Sequence, residues 1–131
     1  MTDYVFTYGT LRPSLYPGRA AAWVRAFLVD QLTMIDLGRY PALVEATDEH
    51  EIVGDVIEVD SVTRFDSYEG YLPNGQGLYD RRRVKVRGAD AKVYLAWVYF
   101  MHKDRAPEWG RTVPTGDWAD VLRTRAEQRP L

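Results

Sequence analysis

Cysteine is absent from the 131-residue chain, which removes disulfides, thiolate nucleophiles and Cys-ligated zinc or iron–sulfur centres together. A basic excess is missing too. With 17 Lys and Arg against 19 Asp and Glu the formal net charge is −2, so the phosphate neutralisation of a general nucleic-acid binder has no support. No apolar run approaches the roughly 20 residues of a membrane span. Met1-Thr2-Asp3-Tyr4 lacks the basic start and long apolar stretch of a signal peptide, so the expected location is the cytoplasm. The only imidazoles, His50 and His102, stand in separate polar segments and form no metal-ligand cluster; both are expected at the surface. None of Ser14, Ser61 and Ser67 sits in a Gly-x-Ser-x-Gly elbow, and Gly9, Gly75 and Gly77 lack the contexts of dinucleotide and P-loop motifs. Repeats, linkers and low-complexity tracts are absent as well.

What remains is a chain that is 46% apolar and 13% aromatic, enough to bury one sizeable core, and residues 1–131 read as a single domain. Tyr4-Val5-Phe6-Thr7-Tyr8 reads as a short buried strand stopped by Gly9. Ala22, Trp23, Ala26 and Phe27 have helical spacing and predict an amphipathic helix over Arg19 to Leu28. Strands follow at Val29 to Leu37 and Ala42 to Val44, with polar Thr47 to Glu51 as a hairpin connection to a strand at Ile52 to Val59. Within that strand Gly54 marks a bulge or a close approach. Ser61 is placed to cap a short helix over Val62 to Tyr68 that ends at Gly70, ahead of a loop running to Leu78. Tyr79 to Val86 alternates, Lys92 to Met101 is apolar on both faces like a central strand, and Asp117 to Ala126 predicts a last helix burying Trp118, Val121 and Leu122. About six strands and two or three short helices give an α+β domain built on a mixed sheet or small barrel.

Chemistry concentrates in few places. At Tyr8-Gly9-Thr10-Leu11 a strand ends on a residue without Cβ, where the backbone either makes a plain tight turn or offers successive N–H groups to a carboxylate. Glu69, in Asp66-Ser67-Tyr68-Glu69-Gly70-Tyr71, is flanked by two aromatics whose desolvation would raise a carboxyl toward general-base use; an exposed helix-end glutamate is the plain alternative. Asp66 is the competing carboxylate, as a salt-bridge or capping partner or as half of a hydrolytic pair with Glu69. Arg81, Arg83, Lys85 and Arg87 share one strand face, opposite Val84 and Val86, and read as a solvated face. The same parity sends Tyr79 and Arg81 away from Val84 and Val86, so either a bulge intervenes or they lie outside a barrel interior. Tyr99 suits a core position as well as a substrate contact. Trp23, Trp97, Trp109 and Trp118 are assigned to core and helix docking.

Taken in order, Phe6-Thr7-Tyr8-Gly9-Thr10-Leu11-Arg12, Gly38-Arg39-Tyr40-Pro41-Ala42-Leu43-Val44, Gly54-Asp55-Val56-Ile57-Glu58-Val59 and Asp66-Ser67-Tyr68-Glu69-Gly70-Tyr71 resemble the γ-glutamylcyclotransferase-like family. Tyr79-Asp80-Arg81, Ala96-Trp97-Val98-Tyr99 and Gly116-Asp117-Trp118 fit the same pattern. The resemblance implies a small mixed β-barrel with short flanking helices and a cavity beside the first turn. It implies a small γ-glutamyl substrate, an amine or a peptide, held by Tyr8, Gly9, Thr10 and Leu11, with Tyr79, Arg81 and Tyr99 as further contacts. Glu69 is implied as the general acid/base of an intramolecular aminolysis that yields 5-oxoproline and a free amine, with no metal, cofactor, nucleic acid or membrane involved. Two other readings stay open: a binding module for a small carboxylate or γ-glutamyl metabolite, and a hydrolase using Asp66 with Glu69.

Overall fold

Alternating inward and outward side chains on five strands wrap one apolar interior. The structure, a computed structural model, describes residues 2–15, 22–63, 66 and 79–128. Its strands are β1 (Asp3–Thr7), β2 (Trp23–Asp36), β3 (Pro41–Val59), β4 (Asp80–Gly88), β5 (Val93–Phe100) and β6 (Arg111–Thr112). A 3-10 turn at Lys103–Arg105 and the helix α1 (Trp118–Glu127) complete the described elements. The sheet order is β3-β1-β5-β4-β2-β6, and a further β2–β3 pairing closes the first five strands into a barrel. Closure leaves these strands paired on both sides. The β1–β5 pair is parallel and the other strand pairs are antiparallel, which makes the barrel mixed.

Phe6, Leu28, Ile52, Val86 and Val98, one from each strand, meet in the interior cluster, and Trp118 from the start of α1 is fully buried against it. The opposite parity carries a second cluster on the outer face, with Val5, Ile57, Val62, Tyr79 and Tyr99. Asp117 caps α1 by accepting a hydrogen bond from the Ala119 N–H at 2.9 Å, while Val121 and Leu122 lean on the interior cluster, as the apolar spacing predicts. Among the described residues no helix is long and apolar enough to cross a membrane.

Three expectations need correction. The helix over Arg19 to Leu28 gives way, over its described part, to the start of β2: Val24, Ala26 and Leu28 also alternate, and pairing from Trp23–Ile57 to Asp30–His50 outweighs the weak local preference. The strands at Ala42 to Val44 and Ile52 to Val59 are one, β3. Thr47 to Glu51 is no hairpin; pairing jumps from Asp30–His50 to Leu32–Glu45, so the polar stretch forms an irregularity opposite Gln31, whose amide donates to the Thr47 carbonyl at 3.1 Å. Trp23 and Trp109 are exposed rather than docked in the core. Of the short helix after Ser61, the described residues Thr63 and Asp66 are helical, with the Asp66 N–H donating to the Val62 carbonyl at 3.2 Å and the Thr63 N–H to Ser61 Oγ at 3.3 Å. The expected helix end at Gly70 and loop to Leu78 lie outside the described residues.

Register runs unbroken through Gly54, so it is a close approach rather than a bulge. A Cβ there would stand 2.3 Å from the Thr7 carbonyl oxygen and 2.7 Å from Phe6 Cζ. Gly54→Ala is therefore expected to destabilise the fold by about 1–3 kcal/mol, read as a lower urea midpoint. On the hairpin between β4 and β5, the Tyr94 hydroxyl donates to Asp90 Oδ2 at 2.5 Å. That bond pushes the Tyr94 phenol up to about 12 and pulls the Asp90 carboxyl below its usual range. Because the folded-state value is raised, the contribution is present below the ordinary phenol value of 10.0 and lost as pH rises toward 12. Tyrosinate absorbance should show a component titrating near 12, and Asp90→Ala should return that component toward 10.0.

Candidate functional site

The parallel pairing of Val5 with Trp97 brings the exits of β1 and β5 to the same end of the barrel. There β1 runs into a turn closed by the Arg12 N–H donating to the Gly9 carbonyl at 3.0 Å. Gly9 is buried, and a Cβ on it would meet Pro41 Cδ at 2.7 Å. Its φ lies outside the left-handed region, so space rather than backbone conformation demands glycine here. Thr10 and Leu11 at the centre of the turn are half-buried, and their N–H groups have no acceptor among the described residues. Two adjacent amide donors held in a turn form a concavity suited to a carboxylate.

Behind the turn lies a cluster of charges built around the buried Arg12 and Asp55. Arg12, with none of its side chain exposed, donates from NH1 to Asp117 Oδ1 at 2.8 Å and places Nε 3.8 Å from Asp55 Oδ2. Asp55, equally buried, accepts from the Ser14 N–H at 2.9 Å and the Ser14 hydroxyl at 2.5 Å on Oδ2, and pairs through Oδ1 with Arg25 at 3.4 Å. Two cations thus face two carboxylates: Arg25 and Asp117 are partly exposed, and pairing with them is what allows the enclosed Arg12 and Asp55 to persist away from water. Asp120, in the first turn of α1, is also held below the usual carboxylate range, chiefly by a hydrogen bond from Thr115, with Arg123 and Arg12 adding to it.

A second polar cluster sits on the outer face. The β4–β5 register runs without a break from Asp80–Phe100 to Arg87–Val93, so Tyr79, Arg81 and Tyr99 stay on the side away from Val86, outside the barrel interior. Tyr8 faces inward and its hydroxyl donates to the Tyr99 carbonyl at 2.9 Å, joining the turn to β5. The Tyr99 hydroxyl in turn donates to Asp66 Oδ1 at 2.8 Å, and Arg81 Nε lies 3.1 Å from the same oxygen. The Arg81 guanidinium is 4.4 Å from the centroid of the Trp97 ring. Asp66 thus engages a phenol and a guanidinium, the salt-bridge role among those its position allows.

The structure brings Tyr8 to Leu11 and Tyr99 to one end of the barrel, and gathers Tyr79, Arg81 and Tyr99 around the outer cluster and Asp66. Glu69 lies outside the described residues. Of the histidines, His50 is exposed, whereas His102 is half-buried between Glu45 at 3.2 Å and Asp80 at 3.1 Å. Sequence reasoning missed Arg12, Ser14, Asp55 and Asp117 as an assembly. Its available signals were a lone acid inside the apolar run Ile52 to Ile57 and an aspartate at the first position of a predicted helix.

Comparison with known proteins bears on the fold and the family. Among functionally curated proteins no sequence match was found. In structure the chain resembles YkqA from Bacillus subtilis, with a TM-score of 0.66 at 22% identity, over 100% of this chain and 45% of that one. It therefore spans less than half the length of that relative. A protein described as gamma-glutamyl cyclotransferase matches with a TM-score of 0.56 at 20% identity, over 77% of this chain and 67% of that one. A yeast protein described as a gamma-glutamyl cyclotransferase specific to glutathione matches with a TM-score of 0.51 at 15% identity, over 99% and 89%. These likenesses establish the shared barrel fold. The model of the family described as "Gamma-glutamyl cyclotransferase, AIG2-like" matches residues 5–120, from the strand that enters the Gly9 turn to the first turn of α1. The chain belongs to that family.

Proposed function

We propose that this protein is a cyclotransferase that converts a γ-glutamyl amine or γ-glutamyl peptide to 5-oxoproline and a free amine. The observation that carries the reading is the turn at Gly9 to Arg12, with two adjacent N–H groups, of Thr10 and Leu11, unclaimed within the described residues. Their dipoles suit the α-carboxylate of a γ-glutamyl group. Family membership supplies the reaction class.

In the proposed reaction the α-amine nitrogen attacks the γ-carbonyl carbon of the same molecule. A ring C–N bond forms, the original amide C–N bond breaks, and two protons leave the α-ammonium nitrogen, which becomes the lactam N–H, for the departing nitrogen, which leaves as an ammonium. Nucleophile and electrophile share one molecule, so folding the substrate accounts for much of the rate enhancement. At neutral pH the amine is mostly ammonium and must first lose a proton. Glu69 takes that proton and later returns one to the leaving amine. Tyr8 supports the turn from inside the barrel, while Tyr79, Arg81 and Tyr99 shape the adjacent outer face around Asp66.

The test is 5-oxoproline release from a panel of γ-glutamyl amines, γ-glutamyl amino acids and glutathione. Wild type should turn over at least one member. Glu69→Gln should lower kcat by about 100-fold or more while substrate binding is largely kept. Asp66→Asn should retain measurable 5-oxoproline release; a strict need for Asp66, with glutamate as product, would point to the carboxylate-pair hydrolase. Folded wild type that binds γ-glutamyl compounds yet releases nothing would mark a binding module.

A further inference from the structure

We propose that Arg12 is a positioning residue, which holds the Gly9 to Leu11 turn in its carboxylate-binding shape through a buried link to Asp55 and Asp117. This rests on the reading of that turn as the substrate carboxylate site. The main chain of Arg12 closes the turn by donating to the Gly9 carbonyl at 3.0 Å. Its side chain is completely enclosed, ending on Asp117 Oδ1 at 2.8 Å. That oxygen also receives the Ala119 N–H at 2.9 Å, so the anchor is the capped start of α1. Two residues on, Ser14 is tied by its N–H and its hydroxyl to Asp55 Oδ2, at 2.9 and 2.5 Å. On the entry side, Thr7 Oγ1 donates to the Asp55 carbonyl at 3.1 Å. The turn is thus fastened before Tyr8 and after Leu11 to the same strand, and through Arg12 to the helix.

Charge and shape explain why arginine serves here. A guanidinium presents several donors in a rigid fork, so one side chain can face carboxylates from two elements at once, which a lysine ammonium on a flexible stem does less well. For stability alone an apolar residue of similar volume is often as good as a buried ion pair. An arginine with no exposed surface, one residue after the second turn N–H that has no acceptor among the described residues, is better explained by the geometry it imposes. Placement matters because the turn's N–H groups bind a carboxylate only when held at hydrogen-bonding distance and direction.

The experiment compares wild type, Arg12→Met, Arg12→Lys and Asp117→Asn; asparagine keeps the helix cap but removes the charge facing Arg12. Amide order parameters from 15N relaxation are measured alongside KM and kcat for 5-oxoproline release. In Arg12→Met the values at Gly9, Thr10 and Leu11 should fall from about 0.85 toward 0.6 while those of β3 and β5 hold. KM should rise about tenfold with kcat within about threefold, since a carboxylate contact is made equally in ground and transition states. Arg12→Lys should recover part of both changes, and Asp117→Asn should reproduce their direction even if Arg12→Met fails to fold. An ordered turn and an unchanged KM in folded Arg12→Met or Asp117→Asn would overturn the proposal. If wild type releases no 5-oxoproline, the functional reading fails by itself, and the order parameters still decide whether Arg12 positions the turn.

Discussion

The barrel depends on β2 lying along β3. That pairing runs from Trp23–Ile57 to Asp36–Pro41 with one interruption, and it joins the two ends of the sheet that β1, β5 and β4 would otherwise leave open. Once closed, the strands have a single inside, and Phe6, Leu28, Ile52, Val86 and Val98 share it. Closure also brings the start of β3 to the site end of the barrel. Pro41 stacks against Gly9, and the Met101 N–H donates to the Leu43 carbonyl at 2.7 Å just beyond β5.

Chemistry on this scaffold is arranged around one parallel pair in an otherwise antiparallel barrel. Because β1 and β5 run the same way, their exits lie side by side, and the Tyr8 hydroxyl on the Tyr99 carbonyl joins them. The inner parity gives the turn its floor. On the outer parity Tyr99 and Arg81 meet Asp66, three residues before Glu69 in the chain. The two clusters thus serve different ends: the interior holds the barrel together, while the outer cluster packs Val62 and the helical turn leading to Asp66 onto β1 and β5.

Paired charge adds a third layer. Arg12 and Arg25 against Asp55 and Asp117 cross-link β2, β3, the first turn and α1 within a few ångströms. Such groups are costly to desolvate and gain by mutual pairing, so their stabilising value is small beside their power to specify one arrangement. Gly116, with φ of 65° and its carbonyl receiving the Val53 N–H at 2.9 Å, docks the chain against β3 just before Asp117 begins the helix.

Local pattern alone determined much of this protein. The aromatic and β-branched run of β1, the alternation of β4, the two-sided apolar β5 and the amphipathic α1 were legible because each is an interaction between near neighbours or a simple period. The ordered motifs around Gly9 and Pro41 carried the family resemblance, and strand parity already allowed Tyr79 and Arg81 to lie outside the interior. What the sequence could not decide was long-range. Trp23 to Leu28 satisfies both helical and strand spacing, and only its partner strand, about 30 residues away, selects the strand. Thr47 to Glu51 has the composition of a turn, yet β2 continues beside it and makes it an irregularity in one long strand. Arg12, Asp55 and Asp117 look like a loop cation, a strand acid and a helix cap until the barrel closes and places them in contact. Charge pairing across 105 residues of chain leaves no periodic trace, because it depends on distance in space alone.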